Sequence, residues 1–235
     1  MKLTKKDIQE LYKFTRQHFV YYYDVQTELV DHLANDIEEI WTEKPNLSFQ
    51  EARDMSFKKF GVFGFMNVIE AKQKQMNKRY INILWRFTKE WFTLPKLIIT
   101  TGIFSFFYFF LQFQFSEYIL LGSFVLLIII DLIRVLKTKK QNNKKKQEKE
   151  KIFLLESMID TTRNGFTGIV FLNTFNVIDL FKKSVSSLEI HWLLLTSLLL
   201  TFYVILFYVA TYVIPKKAEE LLEENYPEYK LSKNL

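Results

Sequence analysis

Forty consecutive residues near the middle of the chain, Leu97–Leu136, contain only three charged side chains. These are Glu117, Asp131 and Arg134. A helix that crosses a bilayer needs roughly 20 apolar residues, so a run of this length predicts two spans joined by a turn. Polar side chains interrupt the aromatic residues at 114–118, which places the turn there. We therefore predict a transmembrane hairpin at 97–136, with spans at about 97–115 and 118–136.

A second transmembrane pair is predicted at 164–214. Its span at about 192–214 has no charged residue, whereas the span at about 164–181 carries polar side chains at steps of three residues. Polar groups inside a bilayer either form hydrogen bonds between helices or line a path for an ion or substrate. The candidate intramembrane polar cluster consists of Asn173, Asn176, Asp179 and Asp131.

Basic residues set the orientation of these four spans. The loop Lys137–Lys151 holds eight lysines and two glutamates, and further bases precede the hairpin and follow the last span. The positive-inside rule places such segments, and therefore both chain termini, in the cytoplasm. We expect a lysine-rich cytoplasmic loop and an amphipathic segment at 137–163, and an acidic cytoplasmic tail at 215–235. Because the loop has no aromatic residues to stack on bases, no nucleic acid is expected as a partner.

The polar first third of the chain predicts a small cytoplasmic helical head at 1–75. Capping boxes at Thr4 with Asp7 and at Ser48 with Glu51 mark two helix starts. Asp24 is predicted to be the N-cap of the helix between them. Apolar residues recur at steps of three and four, so several short helices can share one core.

Charge is sorted along this head and the segment after it. Val20–Ser56 has nine acids and two bases, whereas Phe57–Lys96 has nine bases and two acids. The basic part adjoins the first span, so we expect it to face anionic headgroups, with the acidic part turned away. Ordinary solvated helix faces are the alternative. The candidate partner surface consists of Glu28, Asp31, Asp36, Glu38 and Glu39, and the membrane-surface bases are Lys78, Arg79, Arg86, Lys89, Lys144, Lys145 and Lys146.

The segment 76–96 predicts a basic amphipathic helix that links the head to the hairpin. One face carries a stripe of apolar residues at helical spacing, with bases beside it. Such a helix either lies in the membrane interface or packs on the head, and the two alternatives are compatible. The stripe consists of Met76, Tyr80, Leu84, Phe87 and Trp91.

Little in the sequence indicates catalysis. The chain has no cysteine, which excludes disulfides, thiolate metal sites and a cysteine nucleophile. Glu28 and His32 lie one helical turn apart, but without a second histidine they favour a structural histidine over a metal ligand. We therefore predict no catalytic, cofactor-binding or metal-binding residue, no cofactor, and a protein that is not an enzyme.

Three motifs in the head resemble the bacterial HAAS family of small α-helical signalling domains. They are Glu28-Leu29-Val30-Asp31-His32-Leu33, Ser48-Phe49-Gln50-Glu51-Ala52 and Lys59-Phe60-Gly61. The resemblance covers about the first third of the chain. It implies a domain that precedes membrane helices in proteins often paired with PadR-type transcription regulators.

These observations predict an all-α protein, in which a small cytoplasmic helical bundle precedes a four-helix transmembrane domain. We expect an integral protein of the bacterial inner membrane whose head binds a cytoplasmic protein partner and whose basic segments contact anionic lipid. A second copy of the chain is a further possible partner, which would give a homo-oligomer. The alternative is a small transport or channel subunit that uses the polar groups of the third span.

Overall fold

The computed structural model describes residues 2–113, 118, 122, 125–126, 128–129, 132–137, 140, 151–163, 189–227 and 229. These residues form helices and turns with no strand among them, which confirms the all-α class. The chain divides into two compact units. The first unit is Met1–Arg79 with Lys151–Ser157, and the second is Tyr80–Glu150 with Met158–Leu235.

The first unit contains helices α1 (Lys5–Gln17), α2 (Tyr23–Glu43) and α3 (Phe49–Lys58), together with the beginning of α4 (Met66–Lys89). Both predicted capping boxes are confirmed. The Asp7 backbone N–H donates to Thr4 Oγ1 at 3.2 Å, and the Thr4 N–H donates to the Asp7 carboxylate at 2.8 Å. Ser48 and Glu51 repeat this reciprocal pair at the start of α3, so each helix begins with satisfied backbone donors.

The core of the first unit lies where α2 packs against α1 and α3. Its buried residues follow the predicted helical spacing, because one face of each helix turns inward. The α2 residues Leu29, Leu33 and Ile37 are almost fully buried, as is Leu11 of α1. The indole of Trp41 closes the end of α2 by donating to the Leu47 carbonyl at 3.0 Å.

Asp24 does not cap α2, so that prediction is wrong. The helix begins two residues earlier than an Asp24 cap implies, with Tyr22 as an N-cap that makes no side-chain hydrogen bond. The Asp24 carboxylate instead accepts the backbone N–H of Leu154 at 3.0 Å. A second bond of 2.9 Å joins the Tyr23 N–H to the Ile152 carbonyl, so 151–157 is fastened to the start of α2.

Residues 154–163 form helix α6, which falls in the segment predicted to be amphipathic. Leu154, Leu155 and Ile159 are buried, whereas Thr161 is exposed. Spacing of this kind gives a helix one apolar face, as expected for a segment that lies against protein and does not span.

In the second unit, α4 ends in a 3-10 turn, Glu90–Phe92, and α5 (Lys96–Phe110) follows. The helical stretch ending at Phe92 and α5 meet at 85°. The Thr100 hydroxyl donates to the Trp91 carbonyl at 2.7 Å, which satisfies a backbone acceptor exposed by this bend. α5 stops short of the predicted span end at 115, and its 15 residues cover only about 22 Å.

The last apolar segment forms a continuous helical stretch of 27 residues, Ile190–Lys216, which is long and apolar enough to cross a membrane. It comprises α7 (Ile190–Tyr208), a π-helical turn (Val209–Val213) and one α-turn (Ile214–Lys216). Proline clashes with the carbonyl four residues earlier in an α-helix. The wider π turn contains Thr211, the residue four before Pro215, and accommodates this clash, so the helix runs two residues past the predicted span end at about 214.

Side-chain burial along α7 suits a lipid environment. Leu193, Ser197 and Thr201 are buried at steps of four residues, whereas Leu194, Leu195, Leu198 and Leu199 between them are exposed. The Ser197 and Thr201 hydroxyls each donate to the carbonyl four residues earlier at 2.8 Å. Small back-bonded residues on the inner face and leucines on the outer face are typical of a packed membrane helix.

Helices α5 and α7 pack against each other in the second unit. Leu111, just after α5, is in a buried cluster with Leu193 near the start of α7. At the other end, the ring centroids of Trp91 and Tyr208 are 5.5 Å apart. The two helices therefore run antiparallel, and α8 (Ala218–Asn225) follows within the predicted acidic tail.

Several predictions concern residues outside the described ranges. These are the hairpin turn at 114–117, the polar span at 164–181 and most of the lysine-rich loop. The hairpin's second span is described only in part, with a helical run at 132–137. Among the described residues, Ile190–Lys216 is long and apolar enough to cross a membrane by itself. The helices Met66–Phe92 and Lys96–Phe110 reach that length and apolarity only when they are taken together, across their 85° bend. A four-span domain therefore stays a prediction.

Candidate functional site

A cavity of about 200 Å³ opens between α2 and α3 in the first unit. His32 and Asp36 lie one turn apart on α2, and Ser56 of α3 faces them from the neighbouring helix. Lys59 and Phe60, which follow the end of α3, complete the lining. The cavity thus combines cationic, anionic, hydroxyl and aromatic groups, which suits the recognition of a polar side chain.

The polar centre of this cavity is an ion pair. Lys59 Nζ lies 2.5 Å from Asp36 Oδ1. Burial alone would raise the pKa of the Asp36 carboxyl, but the Lys59 hydrogen bond, the neighbouring Ser56 hydroxyl and the lysine charge outweigh it, so the pKa lies below its ordinary value. The same pair raises the pKa of Lys59. Both groups therefore stay charged across the physiological pH range.

Three of the five acids predicted to form the partner surface make contacts inside the first unit. Asp36 pairs with Lys59, and Glu28 lies 2.6 Å from Lys72 Nζ. Glu38 accepts the backbone N–H of Leu3 at 3.0 Å. Two of these carboxylates are paired with lysines and the third is hydrogen-bonded, so they contribute less to an exposed acidic surface than the sequence suggested.

The exposed acids lie along one line of α2. Asp31 and Glu39 are exposed, as predicted for a partner surface, and Asn35 lies exposed between them. Glu43 extends the line by another turn. We call Asp31, Asn35, Glu39 and Glu43 the α2 ridge. Steps of four residues align side chains on a helix, and that signal was available in the sequence for Asn35 and Glu43.

Sequence reasoning missed the role of Lys59. It lies 23 residues from Asp36 and just beyond α3, so no local pattern pairs the two. Its neighbour Phe60 packs with Phe65 at a centroid distance of 4.9 Å, which holds the cavity wall. Within the described ranges, no group of three or more histidine, aspartate or glutamate side chains is placed to hold a metal ion.

The predicted apolar stripe of α4 turns inward. Met76 in the first unit is buried, as are Tyr80 and Phe87 in the second. The apolar side chains that α4 exposes are instead Ile81 and Trp85. The buried part of the stripe therefore packs inside the protein, and only Met76 of these three residues belongs to the unit that contains the head.

The predicted membrane-surface bases differ in their contacts. Lys78 and Arg79 are exposed on the first-unit part of α4. In the second unit, the Lys89 ammonium lies 5.6 Å above the Trp85 ring, and Arg86 pairs with Glu224. A cation beside an exposed tryptophan is typical of the lipid headgroup region. Lys144, Lys145 and Lys146 lie outside the described residues.

The intramembrane polar cluster, Asn173, Asn176, Asp179 and Asp131, also lies outside the described residues, so its members stay predictions. In α7, the Ser197 hydroxyl is not accessible as a nucleophile would have to be. Ser197 is fully buried and its hydroxyl is bound to the carbonyl of Leu193.

No protein-family model, no curated protein and no solved structure matches the chain. We therefore infer function from the residues described above.

Proposed function

We propose that this chain is a membrane-anchored interaction protein, whose helical head binds a cytoplasmic protein through the α2 ridge. The observation that carries the proposal is the ridge itself. Asp31 and Glu39 stay exposed after the other acids of the predicted surface have been compensated internally. Carboxylates aligned along one helix favour a partner that presents lysine or arginine at matching spacing.

The adjacent cavity supports the same proposal. His32 and Asp36 lie beside the ridge on α2, so a bound segment can place one side chain in the cavity while its bases contact the ridge. An anchor in a pocket with charged contacts around it is the usual arrangement of a specific interface. The proposed partner is therefore a segment with basic side chains, and a transcription regulator of the type paired with HAAS domains is the candidate to carry it.

The membrane part of the proposal is based on the helix Ile190–Lys216. This helix accounts for one crossing, and its exposed leucines suit contact with lipid. The hairpin at 97–136 and the polar third span would add three more crossings, with both termini in the cytoplasm of a bacterial cell. The basic segments around the spans support that orientation through the positive-inside rule.

The test is site-specific photocrosslinking of the full chain in its native membrane. A photoreactive amino acid at Asn35, in the middle of the ridge, is expected to form a discrete adduct with a cytoplasmic protein. The double substitution Asp31→Lys and Glu39→Lys is expected to abolish that adduct, because it reverses the charge on both sides of the probe.

The matched control carries the same probe at Gln9, an exposed position of α1. It is expected to give no adduct of that size. If the Asn35 adduct persists at unchanged yield in the charge-reversed variant, the ridge is not the binding surface.

A further inference from the structure

Four large apolar side chains of the first unit are exposed around one aromatic cluster. Val62 is 98% exposed, Phe63 71% and Phe19 68%, and Met66 is also exposed. Phe19 directly follows His18, and Phe63 lies two residues before Phe65. Since the rings of His18 and Phe65 are 5.9 Å apart, both exposed segments border the same cluster. We call Phe19, Val62, Phe63 and Met66 the apolar rim.

The backbone at Phe19 adopts a conformation that is unfavourable for phenylalanine. Its φ of 65° is left-handed, and it is the non-glycine residue with positive φ in the described chain. The Val20 N–H donates to the Thr15 carbonyl and the Phe19 N–H to the Arg16 carbonyl, which is the Schellman pattern at a helix end. Glycine is strongly preferred at this position, so phenylalanine here exposes an aromatic ring at an energetic cost.

The other half of the rim is held by two glycines. Gly61 and Gly64 have φ values of 78° and 53°, and between them Val62 and Phe63 form the tip of a turn. Phe65 next to this tip is buried and packs on Phe57 at 4.9 Å. The packing of Phe65 therefore anchors the turn that exposes Val62 and Phe63.

Basic residues adjoin the rim through the backbone. Arg16 and Lys58 are exposed, and their carbonyls accept the backbone N–H groups of Phe19 and Gly61. The turn also lies within Phe57–Lys96, a segment that contains nine bases and two acids. Apolar tips flanked by bases match an anionic bilayer, which offers hydrocarbon below a negatively charged surface.

The size of the rim argues against a stable protein interface. Four side chains of this kind expose roughly 500 Å², whereas a stable interface buries about 800 Å² on each partner. A bilayer, by contrast, is always close, because the chain carries the membrane-spanning length Ile190–Lys216. Covalent attachment raises the effective concentration of the surface, so a small contact suffices.

We propose that the apolar rim is a lipid-contacting element, which inserts Phe19, Val62 and Phe63 into the interface of an anionic bilayer. The head is then held against the membrane by contacts of its own, separate from its attachment to the spans. This proposal does not depend on the α2 ridge or on its partner.

The absence of cysteine allows a direct test on the full chain. Val62→Cys carries a spin label, in nanodiscs that hold one copy each and contain zwitterionic and anionic lipid. Accessibility to dissolved oxygen, which concentrates in lipid, is compared with accessibility to a water-soluble nickel chelate. The matched control is Asn35→Cys, an exposed position of α2.

At position 62 the label is expected to favour oxygen over the chelate by about tenfold relative to the control, since burying one phenylalanine shifts an equilibrium by at least that factor. Adding Phe19→Gly with Phe63→Ser is expected to reduce that ratio, as is replacing the anionic lipid with zwitterionic lipid. Equal chelate accessibility at positions 62 and 35 overturns the proposal. Protection that arises only in discs with two copies, or only when cytosolic protein is added, overturns it as well.

Discussion

The Arg86 guanidinium and the Glu224 carboxylate form two parallel hydrogen bonds, of 3.1 and 3.2 Å, across 138 residues of sequence. The pair joins α8 to the second-unit part of α4. Nearby, the Lys217 ammonium lies 5.2 Å above the Phe87 ring. The acidic tail is thus docked at this end of the second unit, where Leu221 and Leu222 are buried.

Glu224→Gln is expected to loosen this docking. The substitution removes the charge from a bidentate pair, which is the stronger form of carboxylate binding. Because the pair is exposed, amide exchange across α8 should rise by only about twofold to fivefold. Hydrogen–deuterium exchange of the full chain measures it. The charge-swapped double variant, Arg86→Glu with Glu224→Arg, should recover part of the protection, and no recovery would count against a direct pair.

The same contact should depend on pH. The Arg86 hydrogen bond and charge hold the pKa of Glu224 below its ordinary value, although burial acts in the opposite direction. A carboxyl with a lowered folded pKa contributes its full stabilisation above the ordinary carboxyl range and loses it as the pH falls through the lowered pKa. Protection of α8 should therefore fall in acid, and this fall should be absent in Glu224→Gln. A fall of equal size in both proteins would point to another group.

Asp24→Ala is expected to release 151–157 from the start of α2. The Leu154 N–H would lose a charged acceptor at 3.0 Å, a contact worth about 1–2 kcal/mol when partly buried. Exchange of the 151–157 amides should rise by about fivefold to thirtyfold. The control is Asp24→Asn, which keeps an acceptor oxygen and should have a smaller effect. Unchanged exchange in Asp24→Ala would contradict the assigned contact.

Gly64→Ala should destabilise the first unit more than Gly61→Ala. Both glycines have positive φ, which by itself costs an alanine about 1 kcal/mol. At Gly64 the added Cβ would also lie 3.0 Å from Phe57 Cζ, whereas nothing lies within 4 Å at Gly61. The midpoint of thermal unfolding of the full chain in detergent orders the two variants. Equal midpoints would show that the Phe57 ring moves aside freely.

Phe19→Gly is expected to stabilise the first unit by about 1 kcal/mol, because glycine adopts the left-handed conformation without strain. The side chain is mostly exposed, so little packing is lost. Phe19→Ala keeps the strain and should bring no such gain in the unfolding midpoint. A glycine variant that melts below the alanine variant would mean that the ring supports the fold.

Local patterns in the sequence were reliable where a few adjacent residues decide the outcome. Thr4 with Asp7, and Ser48 with Glu51, form their capping boxes because both partners lie in one helical turn. The prediction failed at Asp24 because its carboxylate binds Leu154, 130 residues away. The residues around Asp24 do not indicate whether its carboxylate caps its own helix or binds a segment far along the chain.

The candidate site divides in the same way. Asp31 and Glu39 were expected to be exposed, and helical spacing alone places them on one line of α2. The compensation of Asp36 by Lys59 and of Glu28 by Lys72 required the packing of other segments against α2. Helical periodicity identifies which residues share a face, but it does not say what that face meets.

By itself, the sequence determined that the chain is helical, that the segment at about 192–214 is apolar enough to cross a membrane, and that acids predominate in Val20–Ser56 and bases in Phe57–Lys96. These properties depend on composition and on spacing within a helix, which the chain carries wherever it folds. Only the tertiary structure decided which acids remain exposed, that the α4 stripe turns inward, and that Glu224 meets Arg86. Those outcomes depend on contacts between segments far apart in the chain, whose formation is governed by packing of the whole unit.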